Sequence, residues 1–420
     1  MTVLVLSFMF PNDRDSSSGI FVLEQIKALR KAGVTVLVVS PTPWAPRLLK
    51  FLPSVRKYAG ARPHLVVDGF IIDRPRVPTL PKNLGFAWSG VLFYLSCRRV
   101  LAKKMRQTKI DLIHAHGILP DGFAAVLLGR EFHMPAVCTA HGSDVNVYPF
   151  MNRFVRWASR WALRRIDRLI TVSESLKKGA IALAGAREIA VVHNGAESET
   201  FSAVEKAEAR SRLKLNARGK LVCFVGYLRP EKGVEYLLEA FAGLGRSDTQ
   251  LCIVGDGPLK ETLIAQAERL GILNNCRFVG KQPHKEIPLW ISAADCLVLC
   301  SLSEGFPTVL PEAMLCHVPV IATPVGGIPE MIRQGETGLL VPCRDASALS
   351  EALNSLLSNA KLASGIADRA EALARASLTW SVNATQTMEV YADVLRAFEL
   401  ASSAHQRFAG LHSVHGGSGR

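Results

Sequence analysis

The sequence predicts an α/β chain built as two doubly wound domains, each a parallel sheet covered by helices. Three observations carry this. The chain has 420 residues and 49% hydrophobic content, enough for two cores of ordinary size. Apolar runs of strand length alternate with segments of helical period, first over about 1–198 and again over about 199–379. Polar loops rich in Gly and Pro follow those runs, at the strand ends where open α/β sheets receive ligands.

Taken in order, Val3–Leu6 reads as a first strand, 11–19 as a polar loop, Ile20–Lys31 as a helix stopped by Gly33, and Val34–Val39 as a second strand. The loop lacks G-x-G-x-x-G, which disfavours a dinucleotide enzyme. Met1–Phe10 lacks the basic start of a signal peptide and is broken by Pro11-Asn12-Asp13. Asp13-Arg14-Asp15 is formally a DxD pair but reads as a solvated turn. Pro41–Pro81 reads as irregular, and Leu84–Cys97, though apolar, is too short to span a bilayer. Strands at Asp111–His114, Pro135–Thr139, Arg168–Val172 and Ala190–His193 follow. Two of them run into His114-Ala115-His116-Gly117 and Ala140-His141-Gly142-Ser143-Asp144.

A helix at Ala203–Leu213 opens the second alternation. Leu221–Val225 runs into Gly226-Tyr227-Leu228-Arg229-Pro230-Glu231-Lys232-Gly233, then a helix through Phe241. Gln250–Val254 precedes Gly255-Asp256-Gly257-Pro258, and Arg277–Gly280 is a further strand. Trp380–Ala397 reads as a terminal helix, and 404–420, rich in Gly, Ser and His, as a disordered tail.

Nine cysteines show no paired spacing, and most lie in apolar runs, which fits a reduced cytosolic compartment. Cys296 and Cys300 have no His nearby, so no metal site is expected. Charge is uneven. Residues 1–198 hold 28 Lys/Arg against 13 Asp/Glu, while the rest holds 22 against 23. The first half is therefore expected to meet something anionic. Within it, Phe150–Arg168 places Phe150, Phe154, Trp157 and Trp161 on one helical face flanked by Arg153, Arg156, Arg160 and Arg164. An anionic membrane surface is the expected partner of that stretch. The competing reading packs the aromatic face on the sheet and leaves the arginines solvated. No nucleic-acid partner is expected.

The richest stretch is 301–330, SLSEGFPTVLPEAMLCHVPVIATPVGGIPE. The buried strand Cys296–Cys300 precedes a loop with Glu304, Gly305 and Pro307. A helix follows, with Thr308 as its expected N-cap and Pro311 in its first turn. Val318–Ala322 is the next strand and leads through Gly326-Gly327 to a helix at Pro329. Two successive strand-to-helix turns offer free N–H groups to a phosphate. Glu304 and Glu312 suit hydroxyl pairs, since an ionised carboxylate accepts from both. Phosphate and polyol together point to a nucleotide sugar.

The spacing S-x-x-E-G-x-P-x-x-x-x-E, from Ser301 to Glu312, resembles the retaining glycosyltransferases of family 4. Nearly the whole chain, Val3–Phe398, resembles that family. The resemblance implies the GT-B fold, two Rossmann-like domains facing an interdomain cleft. Residues 1–198 would be the acceptor-binding domain, joined by the returning helix at about 380–398, and 199–379 the nucleotide-sugar domain. It implies that Glu312 binds ribose hydroxyls and Glu304 the transferred sugar. Backbone around Gly305, Phe306, Pro307 and Thr308 would lie near the sugar and diphosphate. Lys232 matches the family's diphosphate-binding Lys. The Arg that usually follows the Gly is Tyr227 here, so Arg229 takes the phosphate role.

His141 matches a first-domain His that reaches the donor sugar, and Gly19 a glycine where backbone approaches phosphate. His116 and Asp144 are expected to meet the acceptor, with structural hydrogen bonding an equal reading. Asn194-Gly195 resembles the family's interdomain turn. The catalytic set is Glu304, His141, Lys232 and Arg229, with no metal and no cofactor. The donor, a UDP- or GDP-linked sugar, is a substrate, and the acceptor is a glycan or lipid-linked molecule. Ser18–Val22 with Ala140–Asp144 is similar to transferases of bacterial surface polysaccharides, including teichuronic-acid types. Such an enzyme would be cytoplasmic, peripheral at the inner membrane. The rivals are an epimerase, a phosphorylase and a non-catalytic nucleotide-sugar binder. The first lacks this Glu pair as a rule. The second needs a pyridoxal-binding Lys in a recognisable context, and none is found. The third has no need of Glu304 and His141.

Overall fold

The computed structural model describes residues 1–12, 18–44, 62–78, 86–185, 189–216 and 218–414, with side chains only to 403 in the last helix. The chain falls into two compact units. The first comprises 1–171, 177–192 and 384 onward; the second comprises 172–176 and 193–383.

In the first unit the described strands are β1 (Thr2–Leu6), β2 (Thr35–Val39), β3 (Thr42–Trp44), β4 (His64–Val67), β5 (Phe70–Asp73), β6 (Arg76–Pro78), β7 (Leu112–His116), β8 (Ala136–Ala140), β9 (Arg168–Thr171) and β10 (Ile189–Val191). Eight form one sheet in the order β10-β9-β8-β7-β1-β2-β5-β4. All its pairings are parallel except β4 with β5. Central strands β7 and β8 are buried at every position, as a sheet covered on both faces requires. Strands β3 and β6 form a separate parallel pair.

The segment expected to be irregular, 41–81, thus holds four short strands, with 45–61 and 79–81 outside the described residues. Its hairpin turns at Asp68-Gly69, where both residues have positive φ (47° and 75°). Asp-Gly between apolar runs favours this two-residue turn, because its twist matches the flanking strands. The Asp13-Arg14-Asp15 pair lies outside the described residues. The described part of the apolar stretch Leu84–Cys97 leads into the helix Ser89–Met105. Among the described residues, no helix is long and apolar enough to cross a membrane.

The second unit's strands are β11 (Lys220–Val225), β12 (Thr249–Val254), β13 (Cys276–Gly280), β14 (Cys296–Leu299), β15 (Val320–Ala322) and β16 (Leu339–Leu340). Their order is β13-β12-β11-β14-β15-β16, parallel throughout. Sequence order reverses direction between β11 and β14, so loops after those two strands share one edge of the sheet. That is the topological switch point, the place where open α/β sheets bind ligands. In the first unit the corresponding point lies between β1 and β7.

The last helix, Trp380–Val414, is longer than expected. Its backbone replaces the expected disorder over 404–414, and 415–420 lie outside the described residues. It starts in the second unit and continues in the first, where Tyr391 is fully buried against His114.

Candidate active site

In the second unit, Lys232 follows β11 and Glu304 follows β14. Because these strands are neighbours (Val222 opposite Cys296), their loops meet across the switch point. Lys232 Nζ lies 2.6 Å from Glu304 Oε1, and Ser301 Oγ donates to the same oxygen at 2.6 Å. The Ser of the S-x-x-E spacing therefore holds the Glu. Among the described residues Glu304 Oε2 has no partner. Both side chains are only partly buried, so the pair is charged and open to competition by a ligand.

The turn carrying Lys232 is fixed from several sides. Leu302 N–H donates to the Glu231 carbonyl at 2.8 Å, and the Cys300 thiol to the Gly233 carbonyl at 3.2 Å. Burial pushes that thiol up to about 12, so it stays protonated and able to donate. Gly233 has φ +61°, and a Cβ there would meet the Cys300 carbonyl oxygen at 2.3 Å. The 226–233 loop also lies against 255–257, with Leu228 N–H donating to Asp256 O at 2.9 Å.

Arg229 is exposed, and its guanidinium lies 4.6 Å over the Tyr227 ring. Tyr227 occupies the position where the family usually has Arg, and here it props the Arg two residues on. Among the described residues Arg229 makes no salt bridge.

The Glu304 loop is supported by 323–330. Gly327 N–H donates to Gly305 O at 2.9 Å, and a Cβ at Gly326 would meet Glu304 O at 2.1 Å. Phe306 and Pro307 are buried, and Phe306 stacks on His193 at 4.7 Å. Phe306 is thus a packing residue that offers only backbone to a ligand. Thr308 stands at the N-cap of the helix Val309–Leu315, but its φ and ψ are helical and its side chain makes no capping bond, contrary to expectation. The helix has seven residues, so its dipole contributes little beside Lys232 and Arg229. Glu312 is buried in its first turn, 3.6 Å from His284 Nε2. Nothing in the sequence pointed to His284, because the contact joins residues 28 positions apart.

Glu330 and His193 also escaped the sequence reading. His193 Nε2 lies 2.9 Å from Glu330, which accepts further bonds from the backbone N–H groups of Glu174 and Ser175. Gly195 packs against the Thr379 backbone, as a structural turn does.

In the first unit, His141 follows β8. Its ring lies 4.4 Å from Phe21 and stacks on His116, with His116 Nδ1 3.1 Å from His141 Nε2. Burial holds the His141 imidazole down at about 3, so it is neutral. His141 Nδ1 is sealed from solvent without a protein partner, as is His116 Nε2. His116 lies inside β7, fully buried and held well below its usual range first by burial and then by its His neighbours. It supports His141 and does not present itself to an acceptor.

Asp144 is also withdrawn from the expected acceptor role. It accepts from the backbone N–H groups of Ile118, His141 and Gly142. Burial raises its carboxyl, against these donors. Gly19 has φ +64°, and a Cβ there would meet Met9 O at 2.2 Å. Its own chain demands the glycine, so no phosphate is needed to explain it. Among the described residues no cluster of His, Cys, Asp or Glu could hold a metal, and all nine cysteines are unpaired.

Family models match both units: "Glycosyltransferase Family 4" over residues 18–200 and "Glycosyl transferases group 1" over 205–373. A teichuronic acid biosynthesis glycosyltransferase of Bacillus subtilis, TuaC, is 32% identical over 84% of this chain and 88% of its own. The chain belongs to glycosyltransferase family 4. A glycogen synthase of Mycobacterium tuberculosis is 28% identical over 93% of this family 4 chain and 94% of its own.

Among solved structures, sucrose-phosphate synthase from Thermosynechococcus elongatus superposes with a TM-score of 0.79 at 23% identity, covering 94% of this chain and all of its own. Anabaena HepE, solved with UDP, gives 0.71 at 21%, with the same coverage. The fold is GT-B, with parallel sheets in two domains. The protein is a glycosyltransferase, and its relatives include enzymes named for teichuronic acid and glycogen synthesis.

Proposed function

We propose that this enzyme transfers a hexosyl group, with retention and without a metal, from a UDP- or GDP-linked sugar to a glycan or lipid-linked acceptor of a bacterial surface polysaccharide. The Lys232–Glu304 pair at the β11/β14 switch point carries this reading. Lys232 and Arg229 supply positive charge for the diphosphate, whose charge grows as the bond to the sugar breaks. Glu304 Oε2 offers an acceptor to sugar hydroxyls, and Glu312 accepts from the ribose. The resemblance to TuaC favours a surface-polysaccharide acceptor. The neighbour HepE has been solved with UDP and with UDP-glucose, which favours a uridine donor.

The test is turnover of a panel of nucleotide sugars in EDTA, with the anomeric configuration of the product read by NMR. Retained configuration and undiminished EDTA activity are expected. An inverted product, or activity restored only by a divalent cation, contradicts the reading and turns attention to Asp13 and Asp15.

A further inference from the structure

The helix Arg153–Leu163 buries one face and leaves another uncovered. Val155, Ala158, Ser159, Ala162 and Leu163 face the interior of the first unit. Asn152 fixes the helix start by accepting from Phe154 and Val155 N–H. Trp161 is held against Phe123 at 4.3 Å. The remaining aromatics are not packed: Phe150 is 62% exposed, Phe154 64% and Trp157 60%. The expectation that the whole aromatic face packs on the sheet therefore fails for three of its four residues.

Beside them run Arg153, Arg156, Arg160, Arg164 and Arg165, all exposed, and none makes a salt bridge among the described residues. Residues 145–166 contain no Asp or Glu. These arginines and Trp157 line one groove of about 660 Å³. Arg153 and Arg156 lie over the Phe154 and Phe150 rings, at 5.5 and 5.1 Å.

We infer that this face docks the first unit on an anionic phospholipid surface, with Phe150, Phe154 and Trp157 entering the headgroup layer and the arginines meeting lipid phosphates. Large apolar side chains in water beside arginines that have no carboxylate partner among the described residues are costly for a free surface and suited to an interface that is apolar below and anionic above. A site for an acidic protein would need the charge but not three exposed aromatics, two on the helix and Phe150 on the turn Tyr148–Phe150 before it; the helix is shorter than the expected Phe150–Arg168. Residues 1–198, which hold most of the unit, carry a net charge of +15, which orients the unit toward the same surface.

The experiment is flotation of the full chain with phosphatidylglycerol–phosphatidylcholine vesicles, with tryptophan emission recorded. Binding is expected to require phosphatidylglycerol, weaken with salt and blue-shift the emission. Each basic residue near an anionic leaflet contributes about fivefold. The triple variant Arg153→Gln, Arg156→Gln, Arg160→Gln should therefore bind on the order of 100-fold more weakly, with thermal unfolding unchanged. Trp157→Ser with Phe154→Ser should lose the blue shift. Arg99→Gln with Lys103→Gln, in the separate basic cluster, should change binding by less than either.

Absence of wild-type binding at low salt overturns the inference, as does binding unchanged in the triple variant. So does a lipid-free dimer dispersed by Trp157→Ser, which would assign the face to a second copy of the chain.

Discussion

The two units share a topology and use its switch point differently. In the second, the β11 and β14 loops meet in a charged, half-open pair, Lys232 with Glu304. In the first, the β1 and β7 loops meet in a part-buried bond, where fully buried Asp121 accepts through Oδ1 from Phe8 N–H at 3.1 Å. Around it, His114, His116 and Asp144 are buried and His141 half-buried; His114 bonds to Tyr391 and Thr139, His116 to His141, and Asp144 to backbone N–H groups. One sheet edge keeps its charge available, and the other has turned its polar groups inward. The same fold rule therefore marks where a site can be, while burial decides whether it is charged.

The sharpest way to break this contrast is acid. His114 and His141 are held at about 3, first by burial in both cases. Their folded pKa lies below the unfolded value near 6.5, so unfolding takes up protons between those limits. The stability they contribute is full above pH 6.5 and is lost as pH falls toward 3. Two such groups give a slope of about 1–3 kcal/mol per pH unit. Asp121 and Asp144, raised by burial, oppose part of it. Denaturant unfolding between pH 4 and 7 should show this slope, and His114→Gln should flatten it. A flat profile would mean the histidines are not buried neutral.

The next effect is catalytic. Lys232→Ala should lower kcat by about 10²–10³-fold, the scale of one lost donor to a developing anion, with little change in Tm. Steady-state turnover checks it. Glu312→Ala should weaken nucleoside diphosphate binding about 10- to 100-fold, the equivalent of one hydrogen bond to a charged group. Calorimetric titration reads this directly.

Asp144→Ala should act in the opposite way. Three backbone N–H groups lose their acceptor, at a cost of about 1–3 kcal/mol for each left buried and unsatisfied. Tm should fall, while affinity for the free nucleotide in the surviving folded protein stays the same. The smallest effect is at Tyr227. An exposed cation–π contact is worth about 0.5–1 kcal/mol, so Tyr227→Ala should reduce turnover only severalfold, and not at all in an Arg229→Ala background.

These differences also show what the sequence could disclose. The Glu304 and Glu312 spacing and the Lys232 turn were legible because each lies within one short strand-to-helix segment. Their supports, Cys300 at Gly233 and His284 at Glu312, were not, because they come from contacts distant in sequence. Asp68-Gly69 carried a hairpin signal that Pro and Arg content around it obscured. His116 and Asp144 look alike in sequence whether they face a ligand or the core, and only burial separates them. Gly19 could be read as a phosphate approach until the Met9 carbonyl was seen to fill the space of a Cβ. The aromatic row of 150–161 was ambiguous for the same reason, since helical period gives a face but not what covers it.

The most direct measurement is thermal unfolding of the full chain with UDP, compared with Lys232→Ala and with His141→Ala. At about 100 times its Kd, UDP should stabilise the wild-type protein by about 2.7 kcal/mol. His141→Ala should keep that shift, because neither His141 ring nitrogen is open to a ligand and UDP lacks the transferred sugar, and Lys232→Ala should lose most of it. A shift that survives Lys232→Ala intact but disappears in His141→Ala would place the nucleotide in the first unit and contradict the assignment of the charged switch point to the donor.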